Sequence, residues 1–163
     1  MNVTIEGIDV QKDNDVQLII GQAGFIKTAE DLYEVMMDSS PSIKFGIAFT
    51  EASGDCLVRS EGNDEDLVHM AEKNAIAINA GHTFYIFFKN AYPINVNPAI
   101  KDVPEVATLF CSTANRVTVI VADTSACRAI VGIADGEKAR GIETEEDKKK
   151  RREFIRKIGY KLS

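Results

Sequence analysis

Apolar and β-branched residues alternate with polar ones over 3–10, a second apolar run fills 16–20, and the polar stretch Gln11-Lys12-Asp13-Asn14-Asp15 separates them. Period-two patterning interrupted by a polar turn predicts two strands joined as a hairpin. The period then lengthens. Leu32, Val35 and Met36 recur at helical spacing behind Thr28, Asp31 stands three places after that threonine, and Ser39-Ser40-Pro41 stops the run. A short acid in the capping-box position and a proline stop predict a helix over 29–38. The apolar run 43–50, interrupted by Lys44, and the shorter run 56–60 flank the turn Ser53-Gly54-Asp55 and predict a second strand pair.

Acidic residues in Gly62-Asn63-Asp64-Glu65-Asp66 suit the positive end of a helix, and Leu67, Val68, Ala71, Ala75 and Ile78 mark its apolar face, so a helix is predicted over 64–80. His69 lies inside it and reads as a surface residue, with only Lys73 and Glu65 at one-turn spacing. Beyond Gly81 and His82 comes the strongly apolar strand Thr83-Phe84-Tyr85-Ile86-Phe87-Phe88. Two prolines and three asparagines over 90–98 predict an irregular loop there. Strands are predicted over 106–112, 117–121 and 130–133. Thr144 with Asp147 opens a final helix that carries Phe154, Ile155 and Ile158 inward and ends at Gly159. About eight strands and three helices in mixed order, without repeat or linker, predict one α+β domain over 1–163 in which helices cover mixed β-sheet.

A formal charge of −6 and a pI near 5.0 argue against nucleic acid as a partner, because phosphate neutralisation by Lys and Arg carries most of that binding. The basic cluster Lys148-Lys149-Lys150-Arg151-Arg152 follows Glu143, Glu145, Glu146 and Asp147, the arrangement of a solvated helix face with its ions opposed one turn apart. Cys56, Cys111 and Cys127 are odd in number and form no CxxC pair, which removes a zinc knuckle or a disulfide framework. No signal segment or membrane-length apolar run is present, so a cytoplasmic protein with reduced thiols and no membrane partner is expected.

His82 is the residue richest in chemical options. A glycine just past a helix commonly takes a left-handed conformation, so Gly81 is expected to turn the chain and present His82 at the mouth of a buried strand. Imidazole near neutrality transfers protons, binds metals or accepts a phosphoryl group, although a strand-end histidine can equally serve as a polar terminus. Candidate ligand-binding residues are the polar side chains that interrupt apolar runs or crowd nearby loops. Lys44, Lys101 and Arg128 could neutralise phosphate, and Asn95 and Asn115 could hydrogen-bond a base or ribose. Glu51 and Asp55, on one loop, could hold Mg²⁺ or take a hydroxyl proton. Each could instead be a surface ion pair or a turn-former. Neither GxxxxGK[ST] nor a GxGxxG after a strand occurs, so ATP is not cradled in either familiar way.

The strings Lys44-Phe45-Gly46-Ile47-Ala48-Phe49 with Glu51-Ala52-Ser53-Gly54, Glu61-Gly62-Asn63-Asp64, Ala80-Gly81-His82-Thr83-Phe84, Tyr92-Pro93-Ile94-Asn95-Val96, Val103-Pro104-Glu105-Val106, Thr113-Ala114-Asn115, Asp135-Gly136 and Ile158-Gly159-Tyr160-Lys161 run in order along nearly the whole chain. Together they resemble the adenosine-specific kinase family of archaea and bacteria. The resemblance implies a small cytoplasmic α+β protein, trimeric, that binds adenosine and AMP in preference to ADP and ATP and carries a phosphorylated histidine, which maps to His82 and not to His69. It implies adenosine phosphotransfer, or adenosine and AMP binding without turnover. The chain departs from the family pattern where Arg116 replaces a proline and Cys127-Arg128-Ala129 replaces a Gly-Arg-Gly context. Loss of two glycines narrows the backbone's options and predicts a reshaped loop at that edge.

Overall fold

A computed structural model describes residues 2–163. Its elements are β1 (Thr4–Asp9), β2 (Gln17–Ala23), α1 (Thr28–Ser39), β3 (Lys44–Thr50), β4 (Val58–Gly62), α2 (Glu65–Ile78), β5 (Thr83–Lys89), α3 (Pro93–Lys101), β6 (Val106–Thr113), β7 (Val117–Asp123), β8 (Arg128–Asp135) and α4 (Glu145–Lys157). The strands form a five-stranded sheet ordered β4-β3-β5-β2-β6 and a three-stranded sheet ordered β1-β7-β8, paired antiparallel throughout. The α+β class holds.

Alternation along the central strands builds two cores. One face of the large sheet sends Ile19, Phe45, Ile47, Phe49, Phe84, Ile86 and Phe88 against Leu32 and Met36 of α1 and Val96 and Ile100 of α3. The other face sends Leu18, Ile20, Ala48, Tyr85 and Phe87 against Leu67, Ala71, Ala75 and Ile78 of α2 and against Val117, Val119 and Val121 of the small sheet. Burial on both faces explains why β5 is a continuous apolar run.

The β3–β4 pair forms as expected, with Phe49 opposite Arg59. The first hairpin does not. β1 pairs with β7, placing Gly7 opposite Ile120, while β2 runs between β5 and β6. Buried Asn74 on α2 explains the crossing: its Oδ1 accepts from Gln11 N at 2.8 Å and its Nδ2 donates to Gln11 O at 2.8 Å, so the segment after β1 is tied to α2 instead of folding back. The proline-rich stretch is the helix α3. Pro93 sits in the first turn, where the missing N–H costs nothing, and Asn95 Oδ1 accepts from Tyr92 N at 2.9 Å. Buried Val96 and Ile100, one turn apart, hold it to the sheet.

One helix start and one helix face differ from expectation. Thr28 is buried and donates to Phe25 O, and Lys27 occupies the cap position of α1. The Thr144–Asp147 capping box does open α4, with Thr144 N to Asp147 Oδ2 at 2.9 Å and Asp147 N to Thr144 Oγ1 at 3.2 Å. Yet Phe154 is 59% exposed and Ile158 47%, and no residue of α4 is buried. The apolar side predicted to point inward faces outward. Lys148–Glu145, Lys150–Glu146 and Arg151–Glu143 pairs line its polar side, as a solvated face requires. Among the described residues no helix is long and apolar enough to cross a membrane.

Candidate functional site

α2 ends at Ile78, and Asn79 takes the left-handed conformation at φ 52°, its N–H returning to Ala75 O at 2.8 Å. The second left-handed residue is His82 itself, at φ 59°, and not Gly81. Gly81 is required for a different reason: a Cβ there would lie 2.9 Å from the Ala52 Cβ, so the two loops meet backbone to side chain. His82 is held on both sides by main chain. Its N–H donates to Thr50 O at 2.8 Å, and its carbonyl accepts from Ala23 N at 2.9 Å. The half-buried imidazole stacks on Phe49, with ring centroids 6.1 Å apart and planes 15° from parallel. A histidine in left-handed backbone costs about 1–2 kcal/mol, and its persistence here depends on these fixed neighbours.

A cavity of about 340 Å³ lies beside this corner. Thr50, Glu51, Asn79 and Gly81 wall one side, and Asp123, Cys127 and Arg128 of the β7–β8 turn wall the other. Glu51 Oε2 accepts from Leu57 N at 2.9 Å and Oε1 accepts from Arg59 Nε at 2.9 Å, which hold its carboxyl below the usual range, the backbone bond first. Arg128 donates to Asp123 Oδ2 through Nε at 3.0 Å and Nη2 at 2.7 Å, and its Nη1 reaches Ile78 O at 3.2 Å. The guanidinium thus closes the C-terminal end of α2. Asp123 is held low by the Ser125 N–H and by Arg128. Thr50 is 5% exposed, and its hydroxyl has no hydrogen-bond partner among the described residues.

Among the residues singled out from sequence, the structure gathers His82, Glu51 and Arg128 at this corner, with Asp55 exposed on the same loop as Glu51. The others lie elsewhere. Lys44 pairs in register with Lys89 at the opposite end of the sheet. Asn115 follows Thr113, which pairs with Leu18 toward that same far end, and its Nδ2 donates to Asp135 Oδ1 at 3.1 Å. It lines a separate cavity of about 550 Å³ with Arg116 and Glu137. Asn95 caps α3, and Lys101 lines a cavity of about 550 Å³ between α3 and β6 with Asn97 and Ser112. Of the departures from the family pattern, Cys127 falls on the wall of the His82 cavity and Arg116 on the separate one. At the first, Thr124 and Cys127 close the turn through Thr124 N to Cys127 O at 3.0 Å.

Sequence reading passed over Thr50, Asn79 and Asp123, which line the cavity, and the neighbouring cluster at the start of α1. In that cluster Lys27 Nζ meets Asp31 Oδ2 at 2.8 Å and Glu105 Oε1 at 2.6 Å, the second an ion contact outside hydrogen-bond geometry. Asp31 and then Glu105 keep the ammonium charged, and Lys27 in turn lowers Asp31. The signal for Thr50 was its place as the last residue of a strand that ends beside His82. Cys111 is half-buried, and burial pushes its thiol up to about 12, which leaves it inert. Among the described residues no group of three or more His, Cys, Asp or Glu side chains is arranged to hold a metal ion.

A family profile described as adenosine specific kinase matches residues 8–161. Among solved structures, the PH1918 protein from Pyrococcus horikoshii OT3 is 49% identical to this chain, covers 99% of it and is itself covered over 100% of its length, with a TM-score of 0.95. No curated protein matches the chain. With the match spanning 154 of 163 positions (8 through 161), in the order the sequence motifs run, the chain belongs to the adenosine-specific kinase family.

Proposed function

We propose that the chain binds adenosine or AMP beside His82 and that His82 carries a phosphoryl group in transfer to the nucleoside. One observation carries the reading: a chain of this family has a mixed-polarity cavity, large enough for a nucleoside, walled by Gly81 next to its strained histidine. In the transfer, the N–P bond at an imidazole nitrogen breaks and an O–P bond forms to the ligand hydroxyl. The hydroxyl proton passes to a carboxylate, and neutral imidazole leaves. Asp55 is the carboxylate free for that proton or for Mg²⁺ arriving with phosphate, since Glu51 is bound to Leu57 N and Arg59. Lys44, Asn95, Lys101 and Asn115 reach this ligand only if a second copy brings them to it, in keeping with the homotrimer that family resemblance implies. A cytoplasmic location is part of the same proposal.

One feature favours binding without turnover. The imidazole stacks on Phe49, while the cavity is lined by Gly81 and not by His82 itself, so a ligand there touches the loop before the ring. Calorimetric titration with adenosine, AMP and ATP, together with single-turnover assays using a labelled phosphoryl donor, separates the two. Saturable adenosine or AMP binding with transfer that His82→Ala abolishes supports phosphotransfer; binding unchanged in a protein that never labels supports the sensor.

A further inference from the structure

Alternation sends Val117, Val119 and Val121 of β7 into the second core, so Thr118, Ile120 and Ala122 lie on the outer face of the small sheet. Register adds their neighbours. Ile5 and Gly7 of β1 stand opposite Ala122 and Ile120, and Ala129, Gly132 and Ala134 of β8 stand opposite Ala122, Ile120 and Thr118. A Cβ on Gly7 would lie 3.2 Å from Thr118 Cγ2 and 3.8 Å from Ile120 Cδ1, which puts it on the same face. The face is open: Ile5 is 63% exposed, and Val131, beside the register shift in β8, is 61% exposed. An antiparallel sheet face that meets water is ordinarily polar, whereas here Asp9 and Thr118 at one end supply the polar side chains. A Cβ on Gly132 would meet no described atom within 4 Å. Glycine weakens the interior of a strand and marks a place where another backbone comes close.

A second open apolar surface lies on the C-terminal arm. Phe154, Ile158 and Tyr160 gather with Tyr92 and Ile94 around the start of α3, and their rings supply the bulk for which Gly7, Gly132 and the alanines leave room. Within one chain the two surfaces do not meet, since both are solvent-exposed. Their charges are opposite. The strands of the small sheet carry Glu6, Asp9, Asp123 and Asp135 against Arg128 alone, a net of −3, and α4 carries seven Lys and Arg against four Asp and Glu, a net of +3. Opposed fields of this kind draw two copies together in one orientation and set like surfaces against each other.

We infer that the outer face of the small sheet receives the apolar cluster of α4 from a second copy of this chain, a contact between unlike surfaces that repeats head to tail and closes as a ring of three. The inference rests on the assembly named in the reading above and deepens it by assigning the two surfaces.

The test is light scattering on the parent chain, Val131→Glu, Phe154→Glu and Ile26→Glu, with a thermal melt of each to certify a folded protein. All three side chains are exposed in the single chain, where such changes alter stability little. The parent is expected at three times the chain mass of 17.9 kDa, with a melting temperature that rises with protein concentration. Val131→Glu on the sheet face and Phe154→Glu on the cluster should each bring the mass down threefold, because a carboxylate is then desolvated at the contact without a partner. Ile26→Glu, on neither surface, should keep the parent mass. A parent dimer that both surface variants dissolve supports the contact and overturns the ring of three. A trimer in either surface variant, or loss of the trimer in all three variants, overturns the contact and leaves the reading above standing. A parent at the mass of one chain overturns the contact and the assembly together.

Discussion

At the scale of one residue, His82 is held against its own preference. L-residues avoid φ near +60°, and histidine reaches it here because Thr50 O and Ala23 N fix the peptide on either side. Substitution therefore inverts the usual ranking of glycine and alanine. His82→Gly should melt at a higher temperature than His82→Ala, by about 1 kcal/mol of stability, since both lose the Phe49 stack and only alanine keeps the strain. Denaturant unfolding of the two variants checks this, and equal midpoints would show that the corner relaxes around any residue. Neither variant can hold a phosphoryl group at this position. Strain retained at a residue with phosphoryl-accepting chemistry agrees with a functional role, because a purely structural turn at this place would be served better by glycine.

At the scale of elements, α2 is placed by glycines. A Cβ on Gly46 of β3 would stand 2.1 Å from Val68 N and 2.2 Å from Leu67 C, so the first turn of the helix rests directly on the strand backbone. Gly46→Ala must push α2 away from the sheet. The expected loss is about 3 kcal/mol or more in denaturant unfolding, at the upper end for overpacking because backbone cannot rotate aside. Because Asn79, Gly81 and His82 follow α2 directly, nucleoside binding should fall with it. Element types along most of the chain were legible where periodicity was strong, as in β5 or α2. The misread elements share one cause: the deciding contact is distant in sequence. The β1–β7 pairing depends on Asn74 gripping Gln11, sixty-three positions away. α3 forms because the sheet buries Val96 and Ile100, which outweighs Pro98 inside it. Left-handed backbone fell on His82 and not on Gly81, since the glycine was needed for the approach of Ala52. The site was half legible for the same reason. Residue type suggested Lys44 and Asn115 as readily as Glu51 and Arg128, and only strand register separates the two ends of the sheet.

At the scale of the whole molecule, α4 stands apart from the two cores. The segment 137–144 that leads to it is exposed throughout, and a thirteen-residue helix that buries nothing is marginal in water without tertiary support. Phe154, Ile158 and Tyr160 instead share a groove of about 600 Å³ with Tyr92 and Ile94 at the start of α3, all five side chains open to solvent. Stability of the sheets therefore owes little to α4 within one chain. A protein ending at Gly136 should fold and, as a monomer, melt within about 1–2 °C of the full chain, because removal of exposed side chains changes stability little. Assembly changes the expectation. Light scattering of the full chain should give a trimer mass, and a monomer mass would contradict the assembly proposed above. If α4 meets a neighbouring protomer, the shortened protein falls to a monomer and its melting temperature becomes lower and independent of concentration, as mass action requires once the contact is gone. A shortened protein that remains trimeric with an unchanged melt places the subunit contacts on the sheets, where the outer face of β8 exposes Val131.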